Sequence, residues 1–258
     1  PQRKRPNGNT MCLVLFAYDP ESEHRLVVAA NRDELYARPA HSAHYWEDNP
    51  RVLAGRDLSA GGTWLGVNRS GRFATVTNFA EEGPSEAPLS RGRLTERFLA
   101  FGHDADDFAH HLQGLDYRGF NLLLWDGRQL VYTSNRGVTR VLAPGVYGLA
   151  NAELGADWPK VTRGCRTLTS VLASGVSTAA LISLLADRWV PPDHELPRRG
   201  RPLELERHVA PCFIAGEEYG TRASTAVIIG VDRVHFAEQE YGPKGVLGGR
   251  SEFEFFLD

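Results

Sequence analysis

Cysteine is scarce in this sequence: there are three cysteines in 258 residues, at Cys12, Cys165 and Cys212. They lie far apart and form no Cys-x-x-Cys pair, which argues against a zinc knuckle or a thioredoxin-like redox site. Sparse, unpaired cysteines are typical of proteins in a reducing compartment. We therefore expect free thiols and a cytoplasmic location.

The chain also lacks a strong excess of charge and any long apolar run. Its 29 basic and 32 acidic residues give a net charge of -3. Nucleic-acid-binding domains usually carry a clear basic excess, so no nucleic-acid partner is expected. No segment approaches the roughly 18 to 20 apolar residues that span a bilayer, so we expect no transmembrane segment.

The common short catalytic signatures are missing as well. The sequence has no Walker motif, no Gly-x-Gly-x-x-Gly after a strand, no Gly-x-Ser-x-Gly and no His-Glu-x-x-His. His41 and His44 lie in a loop without acidic or cysteine partners, and the adjacent His110 and His111 diverge on a helix. No metal site is predicted, and no cofactor is required.

What is present is an ordinary globular composition, 42% hydrophobic and 24% charged, which suffices for one substantial core. Residues 1–11 begin PQRKRPNGNT, a basic and polar stretch without an apolar anchor. We interpret them as a disordered leader or an expression remnant. Residues 12–258 are predicted to form a single domain.

Apolar runs and turn residues predict the order of the elements. Strands are expected at 12–19, 25–31, 63–79 (two strands), 119–135 (a hairpin), 224–232, 234–241 and 252–257. Helices are expected at 90–101, 104–115, 159–173 and 177–188, with Asp104 and Ser177 as N-caps. The Pro- and Arg-rich segment 190–204 is predicted to be a lid or a mobile excursion.

Strands come first, then helices, then strands again, without regular alternation, so a doubly wound parallel sheet is not indicated. The pattern predicts an α+β fold of two mostly antiparallel sheets with helices outside.

The charged segment Asn31-Arg32-Asp33-Glu34 directly follows the apolar run 26–30. A short turn joins this strand to the first, so the segment should lie near Cys12. Arg32 could then lower the pKa of the thiol, and Asp33 could hold an α-amine if Met11 is removed. The alternative is structural: Cys12 is a small buried residue, and the charges form ion pairs or cap a loop.

Other polar residues at strand ends fit the same picture. Asn78 and Asn151 could donate to a developing oxyanion, although asparagine is also common in turns. Arg222 could bind an anionic group. Trp64, in a Gly-Gly-Thr-Trp segment, either approaches a ligand or packs in the core.

Nine short motifs then appear in one order along the chain. They are MC at 11–12, AANRDE at 29–34, GGTWLG at 61–66, TNF at 77–79, RG at 91–92, GFNLL at 119–123, NRG at 135–137, YGLAN at 147–151 and YGTRAST at 219–225. Together they closely resemble the NRDE family, also called the transport and Golgi organisation protein 2 family. The resemblance runs from Met11 to Asp258.

The resemblance implies a four-layer αββα sandwich like that of N-terminal-nucleophile (Ntn) hydrolases. It also implies two functions. Family members are linked to trafficking of haem and handling of acyl-CoA lipids, with the NRDE segment implicated. More distantly, the architecture resembles cysteine amidases of the choloylglycine hydrolase group. The positions matched to that amidase site are Cys12, Arg32, Asp33, Asn151 and Arg222, although Arg32 and Asp33 are closer in sequence than in the amidase pattern.

Three functional hypotheses follow, and we rank binding slightly ahead of catalysis on the resemblance alone. The first is an intracellular binding or trafficking protein for a haem- or acyl-CoA-like anionic amphiphile, with haem as a candidate cargo. Its ligand-binding residues would be Asn31, Arg32, Asp33, Glu34, Trp64 and Arg222. The second is an N-terminal-cysteine hydrolase of amide or thioester bonds. Its catalytic residues would be Cys12, Arg32, Asp33, Asn78, Asn151 and Arg222. A third is a scaffold that keeps the fold without activity. The sequence does not specify an oligomeric state.

Overall fold

The computed structural model describes residues 12–80 and 87–258. The predicted leader, residues 1–11, lies outside the described residues. The described chain forms two antiparallel sheets that pack face to face, with helices on both outer surfaces. This is the predicted four-layer αββα arrangement.

The first sheet holds six strands: β1 Cys12–Tyr18, β2 His24–Leu35, β10 Gly145–Leu149, β11 Tyr219–Gly230, β12 Arg233–Gly242 and β13 Val246–Phe256. Their order across the sheet is β10-β1-β2-β11-β12-β13. β2 lies between β1 and β11, and both neighbours run antiparallel to it. The first predicted hairpin is therefore confirmed, and it occupies the middle of the sheet.

The second sheet holds seven strands: β3 Ala40–Tyr45, β4 Val52–Asp57, β5 Leu65–Asn68, β6 Phe73–Asn78, β7 Phe120–Trp125, β8 Leu130–Ser134 and β9 Arg140–Val141. They lie side by side in sequential order. The turn between β7 and β8 uses Gly127 at φ +96°, and the Asp126 carboxylate accepts the main-chain N–H groups of Arg128 and Gln129. The Asp-Gly signal in the sequence thus marked a real turn.

The described residues form five α-helices: α1 Gly92–Ala100, α2 Ala105–His110, α3 Pro159–Ser174, α4 Thr178–Leu185 and α5 Leu203–Val209. Ser177 caps α4 as predicted, since its hydroxyl accepts the N–H of Ala180. Asp104 stands at the start of α2, but its side chain makes no capping bond. The N–H of Ala105 is bound instead by the carboxylate of Asp126.

Three apolar layers hold the sandwich together. The inner faces of the two sheets enclose Phe16, Val28, Phe73 and Trp125, all fully or almost fully buried. α1 and α2 pack on the outer face of the second sheet, whereas α3 and α4 pack on that of the first. Because many of the strands are buried on both faces, their sequences read as nearly continuous apolar runs.

The structure also differs from the sequence-based assignment. The strands β3, β4 and β9 and the helix α5 were not predicted, and β10 was implied only by the placement of Asn151 at a strand end. β13 begins at Val246 instead of 252. The segment 190–204 is not a lid over the large cavity described below: Pro191 and Leu196 are buried, and none of its residues lines that cavity. Within the described ranges, no helix is long and apolar enough to cross a membrane.

Candidate functional site

The charged segment 31–34 is part of a strand and does not follow one. β2 continues to Leu35, and all four residues from Asn31 to Glu34 are buried. Successive side chains of a strand point to opposite faces. Arg32 and Glu34 accordingly lie between the sheets, whereas Asn31 and Asp33 face the helical layer. The prediction that the strand ends before these charges was wrong.

Cys12 is the first residue of β1 and lies opposite Arg32 of β2. Its main-chain nitrogen donates to Oδ1 of Asn151, at 3.0 Å. The Nδ2 group of Asn151 donates to the main-chain oxygen of Asn78, at 2.8 Å. One asparagine side chain therefore joins the start of β1 to the end of β6, in the other sheet.

The Cys12 thiol is not acidic while its nitrogen is part of a peptide bond. Burial, followed by the nearby Asp33 carboxylate, raises the pKa of Cys12 to about 12. The main-chain N–H of Asp33 and the charge of Arg32 act in the opposite direction. Arg32 does favour the thiolate, as predicted, but burial outweighs it.

Arg32 is only 7% exposed, and its charge is compensated by Trp64 and Asp57, which it contacts, and by the nearby carboxylate of Glu34. The guanidinium lies 4.0 Å above the ring of Trp64, and Nη2 is 3.4 Å from Oδ2 of Asp57. Burial lowers the pKa of Arg32 relative to a free arginine. Trp64 fits here because Gly55 has no side chain: a Cβ at that position would come within 2.3 Å of the indole ring.

Asp57 connects the charged residues of the two sheets. Besides Arg32, it binds Arg38, whose Nε lies 2.7 Å from Oδ2, and it accepts the main-chain N–H groups of Ser59 and Ala60. Although burial raises it, these hydrogen bonds leave the pKa of Asp57 below its ordinary value. Glu34 lies 3.6 Å from the same Arg38.

Asp33 is fully buried on the helical side of β2. Its Oδ1 accepts the hydroxyl of Thr221, at 2.7 Å, and Lys160 of α3 attracts it electrostatically. Lys160 is itself buried and donates to the main-chain oxygen of Val209. Burial dominates and raises the pKa of Asp33 to about 7.

Two predicted ligand-binding residues have structural partners. Asn31 donates to the carbonyl oxygens of Leu185 and Cys212 and accepts the hydroxyl of Ser224. Arg222 donates to the carbonyl oxygens of Leu35 and Arg38, which fixes the turn after β2. Neither residue lines the large cavity, so the expectation that they contact a ligand there is not supported by their positions.

The large cavity has a volume of about 780 Å³ and opens beside β2. Six predicted site residues line it: Cys12, Arg32, Asp33, Glu34, Trp64 and Asn78. Asn151 lies behind them, bound to Cys12 and Asn78. The lining has five carboxylates (Asp33, Glu34, Asp57, Glu217 and Glu218) and three guanidinium groups (Arg32, Arg38 and Arg91). Two of the guanidinium groups are paired with Asp57, so the cavity offers little free positive charge.

Several residues of the site were missed from the sequence. Asp57 ends β4, a strand that was not predicted, and Tyr36 lies in the turn after β2. Lys160 lies on the apolar side of an amphipathic helix, where a lysine gives no signal of its own. The Arg-Gly pair at 91–92 was noticed only as part of the family resemblance, yet both residues line the cavity.

Comparison with solved structures identifies a neighbour of the same fold. A crystal structure of a cysteine-to-alanine mutant of conjugated bile acid hydrolase from Clostridium perfringens superposes with a TM-score of 0.52 and covers 95% of this chain and 92% of its own. The sequence identity is 8%, so the similarity concerns the fold alone. The Ntn-hydrolase-like architecture predicted from the resemblance is confirmed.

Sequence comparison gives closer relatives. The Transport and Golgi organization protein 2 homolog of Bos taurus is 35% identical over 89% of this chain and 92% of its own length. The Homo sapiens homolog is 33% identical over 96% of this chain and 99% of its own length. The sequence model of the family described as Transport and Golgi organisation 2 matches residues 11–243. This chain belongs to the Transport and Golgi organisation 2 family.

Proposed function

We propose that this protein is an N-terminal-cysteine hydrolase that cleaves an amide or thioester bond of an amphiphilic small molecule bound in the large cavity. One observation carries the proposal. The main-chain nitrogen of Cys12 is held at 3.0 Å by Asn151 at the wall of that cavity, with Arg32 opposite it in the sheet.

The chemistry requires a chain that begins at Met11, because removal of that methionine then leaves Cys12 with a free α-amine of ordinary pKa about 7.7 to 8.0. The amine accepts the thiol proton while Sγ bonds to the substrate carbonyl carbon. The resulting ammonium gives that proton to the leaving nitrogen or sulfur as its bond to the carbonyl carbon breaks. Water then hydrolyses the acyl-enzyme thioester, which releases a carboxylic acid and restores the thiol.

Cys12 requires this amine, because the surrounding protein does not activate the thiol. With the peptide bond intact, the pKa of Cys12 is about 12, and the thiol stays protonated at neutral pH. Asn151 Oδ1 would accept a hydrogen bond from the amine and orient it. Asn78, which lines the cavity, is the candidate donor to the oxyanion.

Binding without catalysis is the second candidate function. In any form of the chain that keeps residues before Cys12, the high pKa of Cys12 leaves its thiol protonated, which favours binding over catalysis. The ligand would be a haem- or acyl-CoA-like amphiphile in the cytoplasm. The paired state of Arg32 and Arg38 and the five lining carboxylates fit an anionic head group less well than the sequence suggested. We therefore rank hydrolysis first, which reverses the ranking made from the sequence.

The test compares two lengths of the same protein: one expressed from Met11 and one that retains residues 1–11. Intact mass should show that Met11 is removed from the first form. A thiol-selective reagent should then label Cys12 rapidly in that form alone. Cys12→Ala abolishes this labelling, and Cys165→Ala, which changes another half-buried cysteine, is the matched control.

A chromogenic panel of acyl amides and acyl thioesters then measures turnover. Hydrolysis by the Met11-derived form, lost in Cys12→Ala and absent from the longer form, supports the proposal. Equal turnover by both forms would rule out the α-amine as the base. If neither form turns over any substrate while haemin shifts its Soret band, or palmitoyl-CoA raises the melting temperature, the binding function takes first place.

A further inference from the structure

The first sheet has one long open edge. Among the described residues the two sheets have four edge strands, and three of them are short: β3 has six residues, β9 has two and β10 has five. β13 has 11 residues and, within the same part of the chain, pairs with a strand on one side only. Its other side presents main-chain N–H and C=O groups to which a further strand can bind. Of the four edges, β13 is therefore the best suited to pairing with another chain.

The side chains of β13 are largely uncovered. Eight of its 11 residues are exposed, and only Phe255 is buried. Three of the exposed residues are large hydrophobics: Val246 and Leu247 at one end of the strand, 63% and 73% exposed, and Phe256 at the other end, 64% exposed. No other helix or strand in the described ranges exposes three such side chains. Apolar side chains exposed at both ends of an edge strand indicate a contact with another protein.

The charges between these ends favour a second copy of the same chain as the partner. Arg250, Glu252 and Glu254 are two residues apart, so they share one face of the strand. Arg250 binds Glu252 of its own strand, with Nη2 2.5 Å from Oε1. A row of charges of one sign would repel an identical strand, and such rows protect many sheet edges from association. This row contains both signs, so an identical strand that runs in the opposite direction can match it.

The charges also select one register for such a pair. In a symmetric antiparallel pair of strands, one residue lies opposite itself on the two-fold axis. With Ser251 on the axis, Arg250 of each copy lies opposite Glu252 of the other, and no like charges face each other. With Arg250 or Glu252 on the axis, a charge faces its own copy. With Phe253 on the axis, Glu252 faces Glu254. The register around Ser251 therefore gives two ion pairs across the interface without repulsion.

We propose that the protein forms a symmetric homodimer through β13, in which two copies pair antiparallel around Ser251 and their six-stranded sheets join into one continuous sheet. Phe253 of one copy then lies opposite Gly249 of the other, where the missing side chain leaves room for the aromatic ring. The same symmetry brings Val246 and Leu247 of one copy to the end of the strand that carries Phe256 of the other. No residue of β13 lines the large cavity, so the proposal is independent of the proposed function.

The first experiment reverses the charges and measures association by sedimentation velocity, at protein concentrations from about 1 to about 100 µM. The wild type should dimerise. Arg250→Glu places two carboxylates opposite each other twice, and Glu252→Arg does the same with two guanidinium groups, so each variant should dimerise at least about tenfold more weakly. The double variant Arg250→Glu/Glu252→Arg restores opposite charges in the same register, and it should dimerise nearly as well as the wild type.

Both substituted side chains are exposed, 37% for Arg250 and 60% for Glu252, so the variants should fold, and their melting temperatures check this. Arg163→Glu is the matched control, because it reverses another exposed arginine with a carboxylate partner, Asp187, in the helical layer. It should leave dimerisation unchanged. A wild type that stays monomeric over the whole concentration range would overturn the proposal. A double variant that associates no better than the single variants would overturn the register.

A second experiment tests the position of the axis directly. Opposite residues of an antiparallel pair have Cα atoms about 4.5 to 5.5 Å apart, a distance that a disulfide spans. Oxidised glutathione should therefore link two copies of Ser251→Cys covalently. The wild type controls for its own cysteines. Glu254→Cys is the matched control, since its two copies would lie six residues apart, about 20 Å, and should not be linked. A dimer that is linked through Glu254→Cys and not through Ser251→Cys would refute the proposed interface.

Discussion

Replacing Asp33 by asparagine should remove a large part of the pH dependence of stability. Asp33 is fully buried, and its pKa rises from 3.8 to about 7 on folding, mainly because burial disfavours the charged carboxylate. Between these two values the folded state holds a proton that the unfolded state has lost. Stability therefore falls as the pH rises from about 4 to about 7, and it levels off above the folded pKa.

The size of the effect follows from the two pKa values. At about 1.36 kcal/mol for each tenfold difference in proton affinity, the full difference corresponds to about 4 kcal/mol. Part of this stabilisation is already lost at pH 4.5. A further loss of about 3 kcal/mol is therefore expected between pH 4.5 and pH 8. Asparagine cannot ionise and keeps an oxygen that accepts the Thr221 hydroxyl. Between pH 4.5 and pH 8, the free energy of unfolding of Asp33→Asn should therefore rise by about 3 kcal/mol relative to that of the wild type.

Urea unfolding of both proteins at several pH values measures this difference directly, because the other carboxylates contribute equally to both and cancel. One of these is Glu238, which is buried and also has a raised pKa. A difference that stays constant within about 0.5 kcal/mol from pH 4.5 to 8 would refute the assignment of the raised pKa to Asp33.

Lys160 provides an independent arm of the same experiment. Its positive charge lowers the pKa of Asp33, against the larger effect of burial. Lys160→Met should therefore raise the pKa of Asp33 further. The stability of this variant should continue to fall with increasing pH beyond about 7, where that of the wild type levels off. No displacement in this variant would mean that Lys160 does not interact with Asp33 in solution.

Two further predictions concern the charged residues between the sheets. Gly55→Ala should cost about 1–3 kcal/mol of stability and change the tryptophan fluorescence, because its Cβ would meet the ring of Trp64 at 2.3 Å. Gly102→Ala is the control, since no atom lies within 4 Å of a Cβ at that position, and it should have no steric effect. A normal urea midpoint and spectrum for Gly55→Ala would contradict the packing described. Asp57→Ala should cost about 3–5 kcal/mol, because the buried Arg32 and the neighbouring Arg38 would both lose the carboxylate that they contact. Asp48→Ala breaks the more exposed pair with Arg56 and should cost at most about 1 kcal/mol of stability. Equal losses in Asp57→Ala and Asp48→Ala would show that Asp57 does not hold Arg32.

The sequence predicted the αββα architecture and most helices, because these depend on motif order and local apolar periodicity. It failed for β3 and β4, which contain polar or small residues such as His41, Ser42 and Gly55 and pair only with their neighbours in the sheet. The strand β2 was cut short for a related reason. A run of charges normally marks a strand end, and nothing local shows that Asp57, Trp64 and Lys160 come from three other parts of the chain to compensate these charges.

Motif order and the register of one short hairpin are properties of the sequence alone. They yield the family, the position of Cys12 opposite the charged segment, and the set of polar residues expected around it. Two features emerge only when the sheets and helices pack: the face of β2 that each charge occupies, and the bond from the nitrogen of Cys12 to Asn151. Burial and hydrogen bonding at these positions depend on residues that are 25 to 188 positions apart in the chain, and no local pattern records which of them will meet.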